Sequence, residues 1–152
     1  MITKDLLIVG GGSAGMAAAI GAYEKGIRDI LVLEKEPFLG GILNQCIHNG
    51  FGLSEFKEEL SGPEFAARFI EQVKERGIEF KLNAFVTKMT KDKVVTYSTR
   101  EGSFQVKAKA IIMATGCYDR TAGAISLPGD RPTGVMTAGQ AQLYLNEYGY
   151  LV

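Results

Sequence analysis

Residues 5–34 confine this chain to very few folds. An apolar run, Leu6-Leu7-Ile8-Val9, leads straight into Gly10-Gly11-Gly12-Ser13-Ala14-Gly15. An alanine-rich stretch follows, and Ile30-Leu31-Val32-Leu33 then ends in Glu34. The order reads strand, glycine turn, helix, strand, acidic end. A Gly-x-Gly-x-x-Gly string alone is common, but here every neighbouring element is present as well. A run that is apolar at each position is what a parallel strand covered on both faces requires. Gly10 permits the turn at the strand's end, Gly12 leaves room for a pyrophosphate to approach the backbone, and Gly15 lets the next helix pack close to the sheet. The helix predicted over Ser13–Lys25 has Ala14, Ala17, Ala18, Ile20 and Ala22 as a small inner face and stops at Gly26. Its first N–H groups and the positive end of its dipole suit a phosphate. Glu34 follows Gly15 at about the 20-residue interval at which a carboxylate bonds a ribose diol, and it would repel a 2′-phosphate there, which argues against NADP.

Composition bounds the rest. With 152 residues, 46% of them apolar, the chain can build one domain with a core. Lys+Arg and Asp+Glu are each 17, so nothing points to nucleic acid or an anionic membrane as partner. The first residues do not read as a signal peptide, and no stretch approaches the roughly 18 apolar residues of a membrane span. Cys46 and Cys117 lie far apart, which makes neither a disulfide framework nor a zinc pattern. No metal site is expected, and the cysteine usage suits a reducing cytoplasm.

Beyond Glu34, Gly40-Gly41 closes a turn-rich connection, and residues 42–60 read as a polar, glycine-spaced loop with one short helical piece. Ser61-Gly62-Pro63-Glu64 is a helix start, with Ser three residues before Glu and Pro in the first turn. That helix is predicted to about Arg76, with Phe65, Ala66, Phe69, Ile70 and Val73 on one face. Ile78–Leu82 reads as a strand of the core sheet. Three β-rich stretches follow, 84–90, 93–99 and 103–107, as an antiparallel meander joining two strands of that sheet. Ala110-Ile111-Ile112-Met113-Ala114 is a separate short strand ending at Thr115-Gly116. A last helix is predicted over 138–148, with Ala141, Leu145 and Tyr148 at helical spacing.

Three motifs together, Gly10-x-Gly12-x-x-Gly15 with Glu34, Gly40-Gly41, and Ala110 to Gly116, resemble the N-terminal FAD-binding region of the two-dinucleotide-binding-domain flavoproteins. This is the glutathione-reductase-like or pyridine nucleotide-disulfide oxidoreductase superfamily. The resemblance spans nearly the whole chain. It implies an α/β, Rossmann-like FAD/NAD(P)-binding fold with a parallel core sheet and a three-stranded antiparallel β-meander over 84–107. It also implies roles. Gly10, Gly12, Ser13, Ala14 and Gly15 would surround the pyrophosphate of FAD. Glu34 would hold the adenosine ribose, and Lys35 would lie along the adenine, with Val86 meeting it through its backbone. Gly40, Gly41 and Ile42 would approach the pyrophosphate and ribityl chain, and Ala114, Thr115 and Gly116 would close over the cofactor.

The sequence departs from the superfamily's pattern in two places. Disulfide reductases carry two cysteines, four residues apart, shortly after the Gly-Gly pair. Here Ile42 and Leu43 stand at the first of those positions and Cys46 is alone, so a dithiol relay is not expected. The resemblance also implies a following NAD(P)-binding domain, a returning segment of the FAD domain and an interface domain. Residues 1–152 are therefore expected to be the N-terminal part of an FAD-dependent oxidoreductase, to retain FAD weakly alone, and to meet NAD(P)H only through another domain. The small-molecule substrate is not specified, and partner subunits or self-association stay open. His48, the only histidine, and Cys46 are the candidates for chemistry near the flavin. Each has a plainer reading, as a hydrogen-bonded loop residue and as a small packed residue. Two other readings stand beside this one: an NAD-binding dehydrogenase domain, against which the second and third motifs speak, and a non-catalytic flavin-binding module of a larger complex.

Overall fold

The computed structural model describes residues 1–152, and its first strand, β1 (Ile2–Val9), shows why the apolar run is unbroken. Leu6, Leu7, Ile8 and Val9 are all buried because alternate residues enter two different cores. Leu6 and Ile8, with Ile30 and Val32 of β2 (Ile30–Leu33), meet Met16, Ala19 and Ile20 of α1 (Ser13–Glu24). The same core takes Phe69 and Val73 of α2 (Gly62–Glu75). Leu7, Leu31 and Leu33 point the other way and pack on Val95, Tyr97, Val106 and Ala108. The molecule is thus layered as helices, sheet and meander.

The main sheet runs β5-β2-β1-β8-β7-β6. Its additional strands are β5 (Glu79–Lys81), β6 (Phe85–Met89), β7 (Val94–Thr99) and β8 (Gly102–Met113). β5, β2, β1 and β8 are parallel; β7 and β6 continue antiparallel. A small hairpin of β3 (Asn49–Phe51) and β4 (Leu60–Ser61) precedes α2, and α3 (Ala138–Asn146) follows the sheet.

The expected α/β architecture is present, with four differences in detail. First, the third meander stretch and the apolar strand are one strand. Val106 and Lys107 pair with β7 on one side and β1 on the other, and no turn residue interrupts Ser103 to Met113, so the ladder never breaks. Second, α1 buries Gly15, Met16, Ala19 and Ile20, whereas Ala14 and Ala17 are exposed. The contact between Gly15 and Gly10 fixes the helix's rotation, and composition does not reveal it. Third, residues 42–60 contain the β3–β4 hairpin besides the short helical piece, a 3-10 turn at Gly41–Gln45. Fourth, α3 buries no residue, and Leu145 and Tyr148 are exposed. Its attachment is polar.

Candidate functional site

The carboxyl ends of β1, β2 and β8 converge where the chain is richest in glycine. Gly10 leaves β1 with φ of 107°, and a Cβ there would lie 2.2 Å from the Ala114 carbonyl oxygen. Only glycine fits, because β8 ends beside β1 with the Ala114 N–H donating to the Val9 carbonyl at 2.8 Å. A Cβ on Gly15 would sit 1.9 Å from the Gly10 carbonyl oxygen, which sets the close approach of helix and strand. The second motif lies directly on the first. Gly40 N–H donates to Gly11 C=O at 2.9 Å, and a Cβ on Gly41 would be 3.1 Å from Gly12 Cα. The third motif abuts through Ala114, while Thr115 and Gly116 face solvent. The structure therefore brings Gly10, Gly12, Gly15, Gly40, Gly41 and Ala114 together, with Ser13 and Ala14 opening α1 between them.

Gly12 stands apart from these packing glycines. Its φ is −75°, which any residue adopts, and a Cβ would meet nothing nearer than Gly41 Cα at 3.9 Å. The fold does not demand a glycine there, so the open space above it is what the missing side chain provides. The three helix starts differ in the same sense. At α2, the Glu64 carboxylate accepts the Ser61 N–H at 2.8 Å and hydroxyl at 2.7 Å. At α3, Thr137 accepts the Gln140 N–H and Asp119 accepts the Gly139 N–H. At α1 there is no side-chain cap and no acidic residue in the first turn. The first intrahelical bond runs from Met16 N–H to Gly12 C=O, so the N–H groups of Ser13, Ala14 and Gly15 precede it. Those donors and the positive helix end face the glycine-lined space, the chemistry that receives a phosphate.

Glu34 is buried at the end of β2, and its carboxylate is already engaged. Oε2 accepts the Gly11 N–H at 2.6 Å and Oε1 accepts the Glu36 N–H at 2.9 Å. An ionised carboxylate has about four acceptor positions, so capacity for ribose hydroxyls remains. Its own backbone is fixed as well: Glu34 N–H donates to Lys81, and Ala84 N–H donates to Glu34 C=O, both at 2.8 Å. This ties the start of β6, and with it half-buried Val86, to the carboxyl end of β2. Lys35 donates to Glu36 Oε1 at 2.7 Å and to the Tyr118 hydroxyl. Those two bonds, Glu36 first, hold its ammonium well above the ordinary lysine pKa, so it is a fixed cation.

Ile42 is exposed on the 3-10 turn. Cys46 closes that turn half-buried, its carbonyl accepting the Gly62 N–H at 2.9 Å. His48 is exposed, with Nδ1 3.0 Å from the Asn49 carbonyl and its ring 5.3 Å from Phe51. Neither hydrogen-bonds to the glycine cradle. The sequence motifs did not single out Gly11, whose N–H meets Glu34 and whose Cβ would lie 2.4 Å from Leu39 Cδ2. Its place as the middle glycine of Gly10-Gly11-Gly12 was its visible signal. Nor did they single out Gln45, Asp119 or Tyr118, whose partners are distant in sequence.

The residues present fit a dinucleotide: a cradle that side chains would fill, free helix-end donors and a buried carboxylate at the end of β2. Comparison with known proteins agrees. The chain is 32% identical over 155 residues to an opine oxidase subunit of Agrobacterium tumefaciens (strain Ach5), covering 95% of this chain and 29% of that protein. It is 34% identical over 128 residues to "Thioredoxin reductase" of Peptoclostridium litorale, covering 84% and 38%. The crystal structure of L-proline dehydrogenase from P. horikoshii shares the fold, with a TM-score of 0.76 at 21% identity over 97% of this chain and 29% of that one. The chain thus spans well under half the length of these relatives. A family model matches residues 4–147, almost the whole chain, and its members are FAD-binding oxidoreductases. With that match laid over the cradle, the chain belongs to the pyridine nucleotide-disulphide oxidoreductase family.

Proposed function

We propose that residues 1–152 hold FAD within a flavin-dependent oxidoreductase of the dehydrogenase class. Gly12 carries the reading: it sits at the centre of the cradle, beside uncapped helix donors, where the fold itself has no need of glycine. Gly10, Gly12, Ser13, Ala14 and Gly15 would surround the pyrophosphate. Glu34 would accept from the adenosine ribose, Lys35 and the Val86 backbone would flank the adenine, and Gly40, Gly41 and Ile42 would reach the pyrophosphate and ribityl chain. Ala114, Thr115 and Gly116 would close the third side. When bound, the flavin supplies the hydride chemistry; the protein holds and orients it.

His48 is the candidate for proton transfer and Cys46 for a thiol near the redox end. NAD(P)H and a small-molecule substrate would be met through other domains or other chains. That the opine oxidase relative is one component of a multi-chain enzyme by its name supports a place in a larger assembly. Two unpaired thiols suit a reducing cytoplasm. The test is a comparative titration with FAD, NAD and NADP, followed by a visible spectrum, where bound flavin absorbs near about 450 nm. FAD should bind tightest and NADP least, because its 2′-phosphate would meet Glu34. Preference for NADP would overturn the assignment.

A further inference from the structure

Helix α3 is fastened to two of the three cofactor-facing segments, and almost entirely by polar contacts. At its N-terminal end, Asp119 Oδ2 accepts the Gly139 N–H at 2.8 Å, and a Cβ on Gly139 would lie only 2.2 Å from that oxygen. Asp119 follows Gly116, the last residue of the third motif, by three positions. Along its length, α3 holds the 3-10 turn of the second motif. Asn146 Nδ2 donates to the Gln45 carbonyl at 2.7 Å, and Gln45 Nε2 donates to Gln142 Oε1 at 3.3 Å. Gln45 and Glu34 are the molecule's two buried polar residues. Since α3 buries no residue of its own, little apolar burial holds it in place.

We infer that Asp119 and Gln45 are positioning residues: through α3 they lock the Gly40–Ile42 and Ala114–Gly116 segments in one register for the pyrophosphate and ribityl part of the cofactor. This rests on the FAD-binding reading. No hydrogen bond of α3 itself reaches Glu34 or Lys35; the latched loop meets that end only through Tyr118, whose hydroxyl accepts from Lys35, and Lys35 is held independently by Glu36. Loss of the latch therefore changes how the longer ligand is held relative to the adenosine end.

The test compares calorimetric affinities for FAD and for AMP, which lacks the second phosphate, the ribityl chain and the flavin. Asp119→Ala should weaken FAD about tenfold while AMP stays within about twofold. Asp119→Asn, which keeps an acceptor oxygen, should restore FAD binding. Gly139→Ala strikes the same contact from the other side, so the double variant Asp119→Ala/Gly139→Ala should lose less than the two single losses combined. Equal loss for both ligands, unchanged FAD affinity, additive losses or no rescue by Asn would each overturn the latch. If the unmodified chain binds neither ligand, the FAD-binding reading itself fails, an outcome distinct from the other four.

Discussion

Glu34 does two things with one carboxylate. The sequence assigns it to a ribose; the structure shows it also bonding the Gly11 and Glu36 N–H groups that shape the cradle. Replacing it should therefore destabilise the protein with no ligand present. Glu34→Ala leaves one buried and one part-buried backbone donor without a partner, a loss of about 2 kcal/mol by urea unfolding. Glu34→Gln, which keeps one acceptor, should lose roughly half of that. Parent-like stability of Glu34→Ala would show that the carboxylate is reserved for a ligand. Gly10 and Gly12 separate in the same way. Gly10→Ala places a Cβ 2.2 Å from the Ala114 oxygen at a φ of 107° and should lower the yield of folded protein sharply. Gly12→Ala meets no atom closer than 3.9 Å and should fold, at less than about 1 kcal/mol for the poorer cap residue.

At the level of elements, two carboxylates should shift stability with pH in opposite directions. The Ser61 N–H and then its hydroxyl hold Glu64 below the usual carboxylate range. Its contribution to α2 is complete above the unfolded pKa and is lost as pH falls through the folded one. Glu64→Gln should flatten that part of the acid-melting curve. Burial, and secondarily the charge of Glu36, push Glu147 at the end of α3 upward. A raised carboxyl weakens the fold once ionised, so Glu147→Gln should raise the melting temperature at neutral pH, by under about 1 kcal/mol in free energy, and converge with the parent in acid. A gain that persists at low pH would contradict this.

The β1–α1–β2 unit was legible because its signals are local: an unbroken apolar run, glycine spacing and a terminal acid. The start of α2 was legible for the same reason. The continuity of β8 was not, because nothing along the strand announces that its partner changes from β7 to β1. The rotation of α1 depends on a contact between Gly15 and Gly10, and the attachment of α3 on Gln45 and Asp119, residues far from it in sequence. Such contacts exist only once the chain is folded.

Across the whole molecule, every buried apolar residue lies between Leu6 and Ala108. The two cores close before β8 ends, and residues 109–152 add no buried side chain to them. Amide hydrogen exchange should follow that division, with β1, β2 and the centre of β8 slowest and residues 117–136 fastest. Uniform protection would mean that the C-terminal third folds as part of the core. The same division places the glycine cradle at the rim of the rigid part, where the strand ends are held by the sheet while the flanking loops stay accessible. The most direct test of that placement is calorimetric titration of FAD into the parent chain and into Gly12→Ala, with melting curves recorded for both. Parent-like folding with affinity weakened at least about tenfold is the predicted result. Equal affinity in the two proteins would mean that no phosphate lies over Gly12 and that the cradle is not where the cofactor binds.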